Sequence, residues 1–295
     1  MRPDSDLRQR SEIEASALPP LLARAEHLAG TVLLGDHGRR RAGLGDDFWQ
    51  YRPAQIGDSR RLIDHRRSAR GDMQFVRERE WQIAQSVMMW VDQGASMRFT
   101  SDTSPKTALP EKIDRARLLG LATSVLLIRG GERVGLTGTS LPPRRGNMQI
   151  RRLAEFFTID DDTDYAPPEH RAMIPHARAV FLSDFLGDMT EVRLALTKAA
   201  DRGVRGVLLQ VLDPSEEMFP FHGRTIFESV GGTMRHETLK AGDLRARYQE
   251  RLAARKDELM GLCRATGWQF GTHHTGESAQ SALLWLYRAL DGGTS

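Results

Sequence analysis

Ser86-Val87-Met88-Met89-Trp90-Val91 is an apolar run that stops at Asp92-Gln93-Gly94-Ala95-Ser96. Its length suits a buried strand, and the acid, the glycine and the small residues that close it suit a turn. From Pro110 to Ile128 the apolar positions Ile113, Ala116, Leu119, Leu121, Ala122, Val125 and Leu126 recur at helical spacing, and Gly130-Gly131 fits a helix C-terminus. Arg133-Val134-Gly135-Leu136-Thr137 is a second strand candidate, and 148–157 a second helix with Ile150, Leu153, Ala154 and Phe157 on one face. The acidic run 160–164, before Pro167-Pro168, reads as a solvated loop. The pattern then repeats: strand Ala179-Val180-Phe181-Leu182 and helix 190–202, strand 204–212 and the long charged helix 244–266, short strand 267–271 and closing helix 278–290. Strands alternating with helices predict an α/β fold, a doubly wound, mostly parallel sheet with helices on both faces, from about residue 82 to 295.

Upstream the character differs. Leu18, Leu21, Leu22, Ala25, Leu28, Ala29 and Val32 have helical spacing, with Pro19 and Pro20 near the start, so 1–34 is expected to supply an N-terminal helix. Residues 35–81 carry scattered glycines, many arginines and short clusters such as Phe48-Trp49-Gln50-Tyr51 and Met73-Gln74-Phe75-Val76, which predict a small β-containing module.

The chain has 295 residues, enough for a large core without disulfides or structural metals, and 27% charged residues is ordinary globular composition. The longest aliphatic stretch, Val125-Leu126-Leu127-Ile128, is far short of the ~20 residues of a membrane span, so no span is expected. The N-terminus is charged and lacks an apolar segment with a cleavage site, which makes the cytoplasm the expected compartment. A lone cysteine, Cys263, reads as a buried thiol. A net charge of +3 is too small a surplus to suggest nucleic acid as a partner, and five lysines against 37 arginines fits genomic base composition as well as phosphate recognition.

In open α/β sheets ligands bind beyond the carboxyl ends of the strands, so polar residues just after strands are the candidates. Asp92 and Asp184 both stand there, with Ser96 close to the first and Ser183 beside the second. Two carboxylates and a hydroxyl from neighbouring strand ends are oxygen ligands of the kind that hold magnesium or manganese. The alternative is that both acids cap the helices that follow. His273-His274 with Glu277 is a weaker candidate, because adjacent residues of an extended chain face opposite ways. Phosphate-loop, nucleophile-elbow and zinc-helix motifs are all missing.

Asp92-Gln93-Gly94-Ala95-Ser96 resembles the D-x-S-x-S metal-ion-dependent adhesion site of von Willebrand factor A domains. Arg40 to Phe48, Tyr51-Arg52-Pro53, Gly57-Asp58-Ser59-Arg60-Arg61-Leu62-Ile63-Asp64 and Arg67-Ser68-Ala69-Arg70 resemble the signature of the bacterial domain of unknown function 58 family. Arg133 to Leu136, Leu141 to Gly146, Leu182 to Phe185 and Asp213 to Glu216 agree with it as well. The resemblance implies a von Willebrand factor A-like fold in a short form without membrane segments, acting with a MoxR-type AAA+ ATPase or its client. It also implies a metal site at Asp92, Ser96 and Asp184, with Thr137 or Thr139 as candidates for a middle-loop ligand. Gly94 stands where the first serine of D-x-S-x-S belongs, which removes one hydroxyl from a magnesium or manganese site. Arg60, Arg61, Asp64, Arg67 and Arg70 form an arginine–carboxylate block suited to bracing the module or to binding a partner. The expectation is a non-enzymatic adaptor that docks a partner carboxylate at the strand-end face, through a divalent ion or directly. The alternatives are a metal-assisted hydrolase using the same carboxylates, or nucleic-acid binding through the arginine block.

Overall fold

The computed structural model describes residues 20–32, 48–54, 63–69, 71, 73–79, 84–101, 108–159, 161–228 and 235–290. They fall into two compact units, one made of 1–35 with 85–295 and the other of 36–84.

In the larger unit the run 86–91 is a strand. Five parallel strands form its sheet: β3 (Ser86–Val91), β4 (Arg133–Leu136), β5 (Arg178–Ser183), β6 (Arg205–Leu212) and β9 (Gln269–His274). Their order across the sheet is β4-β3-β5-β6-β9, so the chain moves one way from β3 to β4 and the other way from β5 onward. The reversal opens a crevice between β3 and β5, the place where such sheets bind ligands.

Strand alternation sorts the core into two layers. Val87, Met89, Val91, Val180, Leu182, Val207, Leu209 and Val211 face one way. There they meet α1 (20–32), α3 (Lys112–Arg129), α4 (Asn147–Phe157) and α8 (Ala279–Leu290). Met88, Ala179, Phe181 and Leu208 face α5 (Met189–Asp201) and α7 (Arg245–Thr266). The N-terminal helix is thus part of the α/β core, through Ala25, Ala29 and Val32. Helix α3 lies so close to the sheet that a Cβ on Gly120 would meet Val91 Cγ2 at 2.8 Å.

Two features depart from the sequence reading. The last strand runs to His274 rather than stopping at 271, because its residues pair with β6 in unbroken register up to Leu212 opposite His274. Between β6 and α7, where no element was expected, lie α6 (Pro214–Met218) and the antiparallel pair β7 (Thr225–Glu228) and β8 (Arg235–Thr238). Phe227 of β7 stacks at 5.6 Å on Phe219, which also meets Tyr248 of α7 at 4.8 Å. A local aromatic cluster therefore holds the excursion, and four-residue strands leave little periodicity to read.

The smaller unit contains the antiparallel pair β1 (Phe48–Pro53) and β2 (Phe75–Arg79) and the one-turn α2 (His65–Ser68).

Candidate functional site

The strand-end crevice is built by short-range geometry. Asp92 follows β3 directly, and its Oδ1 accepts the Gly94 N–H at 2.8 Å, turning the chain within two residues. Its Oδ2 accepts the Ser183 hydroxyl at 2.6 Å, which joins the ends of β3 and β5. Ser183 Oγ in turn accepts the Phe185 N–H at 3.0 Å, and Phe185 takes a left-handed φ of 50°. That turn places Asp184 in the crevice, where Oδ1 accepts the Leu186 N–H at 3.0 Å and Oδ2 receives the Lys112 ammonium at 2.8 Å. Neither acid caps a helix, contrary to the capping alternative: Asp188 caps α5, and Gly94 occupies the cap position of the 3-10 turn Ala95–Met97.

Lys112 is the residue the sequence reading missed. It opens α3, is 1% exposed, and bridges Asp184 to Glu216, whose Oε1 lies 2.6 Å from its Nζ. Glu216 is held from behind by the Asp213 N–H, 2.9 Å from Oε2, in the capping box of α6. Burial works to lower the Lys112 pKa, but the carboxylates of Asp184 and Glu216 overcome it and hold the ammonium above the usual lysine range. Burial, reinforced by the negative charge of Asp184, pushes Asp92 up to about 7 despite its hydrogen bonds to Ser183 and Gly94. A signal for Lys112 did exist: it is one of only five lysines in the chain, and it stands in the first turn of a helix whose later turns are almost wholly apolar.

A cleft of about 340 Å³ opens over the carboxylates, lined by Asp92, Tyr165, Pro167, Phe185, Asp188 and Glu191 among others. A smaller cavity of about 150 Å³ lies at the opposite end of the strands, beside Gln85 and Glu132, away from both acids. The acidic loop is less free than its composition suggests. Asp161 N–H donates to Gln93 O, Ala95 N–H to Thr163 O and Ser96 N–H to Asp164 O, which zips residues 161–164 onto the turn after β3. A Cβ on Gly94 would stand 2.9 Å from Ala166 N and 3.0 Å from Asp92 Oδ1, so the glycine is what lets the two loops close.

Asp92 and Asp184 thus stand at neighbouring strand ends, joined through the Ser183 hydroxyl. Ser96 Oγ and Thr137 Oγ1 are buried without a hydrogen-bond partner, while Thr139 donates to Leu136 O. The two orphan hydroxyls suit a bound polar group, but the carboxylates do not suit a dication. All four of their oxygens already have a donor within the protein, and one of these donors is a buried ammonium. A magnesium ion sharing Asp184 Oδ2 at its usual ~2.1 Å would stand within about 5 Å of Nζ, a repulsion of at least about 7 kcal/mol at an effective dielectric of about 20. Among the described residues, no group of three or more His, Cys, Asp or Glu side chains is arranged to hold a metal.

The remaining candidates separate. His273 Nε2 lies 2.8 Å from Arg115 Nη1, whereas His274 Nε2 lies 2.6 Å from Glu217 Oε2, so the two imidazoles have different partners. Of the arginine block, Arg60, Arg61 and Arg70 lie outside the described residues. Asp64 Oδ1 caps α2 by accepting the Arg67 N–H at 2.9 Å, and the Arg67 guanidinium sits 5.5 Å from the Phe75 ring centroid.

A family model described as "Protein of unknown function DUF58" matches residues 50–258, from β1 through most of α7. The chain belongs to the DUF58 family. The match takes in Asp92, Lys112, Asp184 and Glu216, and it leaves α1, β9 and α8 outside. No curated protein matches this DUF58 chain. Among solved structures it is similar to the conserved hypothetical protein BatB from Bacteroides thetaiotaomicron, at 15% identity and a TM-score of 0.41, over 71% of this chain and all of that one. An aerotolerance-related membrane protein from Bacteroides fragilis gives 13% identity and 0.41 over the same shares. An uncharacterised membrane-spanning protein from Vibrio fischeri gives 16% identity and 0.21, over 70% of this chain and 98% of that one. Among the described residues of this DUF58 protein, no helix is long and apolar enough to cross a membrane.

Proposed function

We propose that the larger unit is a von Willebrand factor A-like docking domain of a cytoplasmic adaptor, and that its strand-end cleft engages a MoxR-type ATPase or that ATPase's client. The observation that carries this reading is the cleft at the β3–β5 reversal, with Asp92 and Asp184 at its floor and Asp188 and Glu191 exposed among its lining residues. Support for docking rather than hydrolysis comes from the internal hydrogen bonds of both carboxylates, which fix the shape of the floor and engage the oxygens that would have to activate water. The lining is acidic, so the partner group that suits it is basic rather than a carboxylate.

Affinity capture of the tagged full chain from its host lysate tests the reading, with Glu191→Arg as the variant because Glu191 is exposed and lines the cleft. A MoxR-type ATPase captured by the wild type and reduced at least about tenfold by the charge reversal is the expected result. Equal capture by both proteins refutes the cleft as the dock, and absence of the ATPase from both refutes the ATPase as the cleft's direct partner.

A further inference from the structure

We propose that the Lys112 ammonium, held between Asp184 and Glu216, is the resident cation of the strand-end site, so that the site is complete without a divalent metal. Each link is geometric. Lys112 Nζ lies 2.8 Å from Asp184 Oδ2 and 2.6 Å from Glu216 Oε1, and the residue is as deeply buried as Asp184 itself. The lysine is held along its length: its backbone N–H donates to Phe99 O at 3.1 Å, and its Nζ lies 5.6 Å from the Phe99 ring centroid. Glu216 is locked in turn by the α6 capping box, so the ammonium rests between two fixed carboxylates rather than reaching in from solvent. Residues from three separated stretches, 112, 184 and 216, meet at one nitrogen, which makes the cation a product of the fold and not of the turn after β3 alone.

Two consequences separate this arrangement from a metal site that has merely lost a serine. The site needs no external ion for its shape, so chelators leave it intact. The arrangement is also reversible by mutation: removing the ammonium, together with the carboxylate charge of Glu216 that balances it, leaves the oxygens of Asp184 and its neighbour Asp92 without an internal cation. That set of oxygens then becomes open to a hard dication.

The inference concerns the same cleft as the docking reading but is read on the purified full chain without any partner, so either can fail alone. The experiment is a manganese titration followed by the electron paramagnetic resonance of free Mn2+, with thermal melting in EDTA and in magnesium beside it. Three proteins are compared: wild type, Lys112→Met/Glu216→Gln and, as control, the same double variant carrying Asp184→Asn. Wild type is expected to deplete no Mn2+ and to melt identically in EDTA and magnesium. The double variant is expected to bind Mn2+ at least tenfold more tightly than wild type, and Asp184→Asn to abolish the gain. One Mn2+ bound by wild type overturns the proposal, and this arm needs no variant to fold. A folded double variant that binds no better than wild type overturns it equally.

Discussion

Replacing Asp92 with asparagine should stabilise the protein at alkaline pH, and the size of the effect follows from where the carboxyl sits. Burial, with Asp184 next in strength, moves Asp92 from 3.8 to about 7 in the folded state. A rise of about three pH units, at about 1.4 kcal/mol each, makes ionisation of Asp92 cost the folded protein up to about 4 kcal/mol at pH 8. The folded state holds this proton more tightly than the unfolded chain does. The contribution is therefore complete below the unfolded value near 4 and is lost as pH rises through about 7. Asparagine cannot ionise; its amide oxygen accepts the Gly94 N–H, while its NH2 can meet Ser183 Oγ only by reversing that hydrogen bond, a cost that is the same at every pH and so leaves the slope untouched. Urea denaturation of both proteins at pH 5, 6, 7 and 8 reads the difference in unfolding free energy, variant minus wild type. It should rise by about 2–4 kcal/mol across that range. The titration of His273, present in both proteins, cancels in the subtraction. A difference that stays flat or falls with pH would refute the placement of Asp92 as a buried acid beside a second carboxylate.

Three further outcomes follow from the same geometry. Gly94→Ser, which restores the letter of the adhesion-site motif, should destabilise by about 1–3 kcal/mol in urea, because its Cβ meets Ala166 N at 2.9 Å and Asp164 O at 3.2 Å; an unchanged midpoint would show that the two loops are free to part. His273, pushed down to about 4 by burial and then by Arg115, stays neutral in the folded protein while the unfolded imidazole takes a proton near 6.5. Stability should therefore fall as pH drops from 6.5 towards 4, and the His273 ring proton should titrate near 4 by NMR, with a midpoint above 6 contradicting the Arg115 contact. Cys263, whose thiol burial pushes up to about 12, should resist alkylation at pH 8 in the native protein and react fully in urea; rapid native labelling would contradict its place in the α7 core layer.

Most of the sheet was legible because its signal is local. The runs at 86–91, 178–183 and 205–212 are apolar on both faces, as strands covered by helices must be, and the helices at 112–129, 147–157 and 189–201 carry their own periodicity. β7 and β8 were not legible, since four-residue strands held by Phe219, Phe227 and Tyr248 leave no periodic trace. The carboxylate pair of the site was legible for a related reason: Asp92 and Asp184 each terminate an apolar strand, and in an alternating α/β chain strand ends converge on one edge of the sheet.

By itself the sequence determined the fold class, the DUF58 resemblance and the two acids, because each is written in contiguous residues. Only the tertiary structure decided what those acids face. Lys112, Asp184 and Glu216 are separated by 72 and 32 positions, and no spacing rule relates them. They meet because α3 packs tightly over β3 at Gly120 while β5 and β6 run side by side into their own terminal turns. Likewise, whether Gly94 is a lost ligand or a required absence depends on the 161–166 loop folded against it, some 70 residues away in the chain. Charge and clearance at a strand-end site are set by which distant segments pack there, and that is a property of the folded chain.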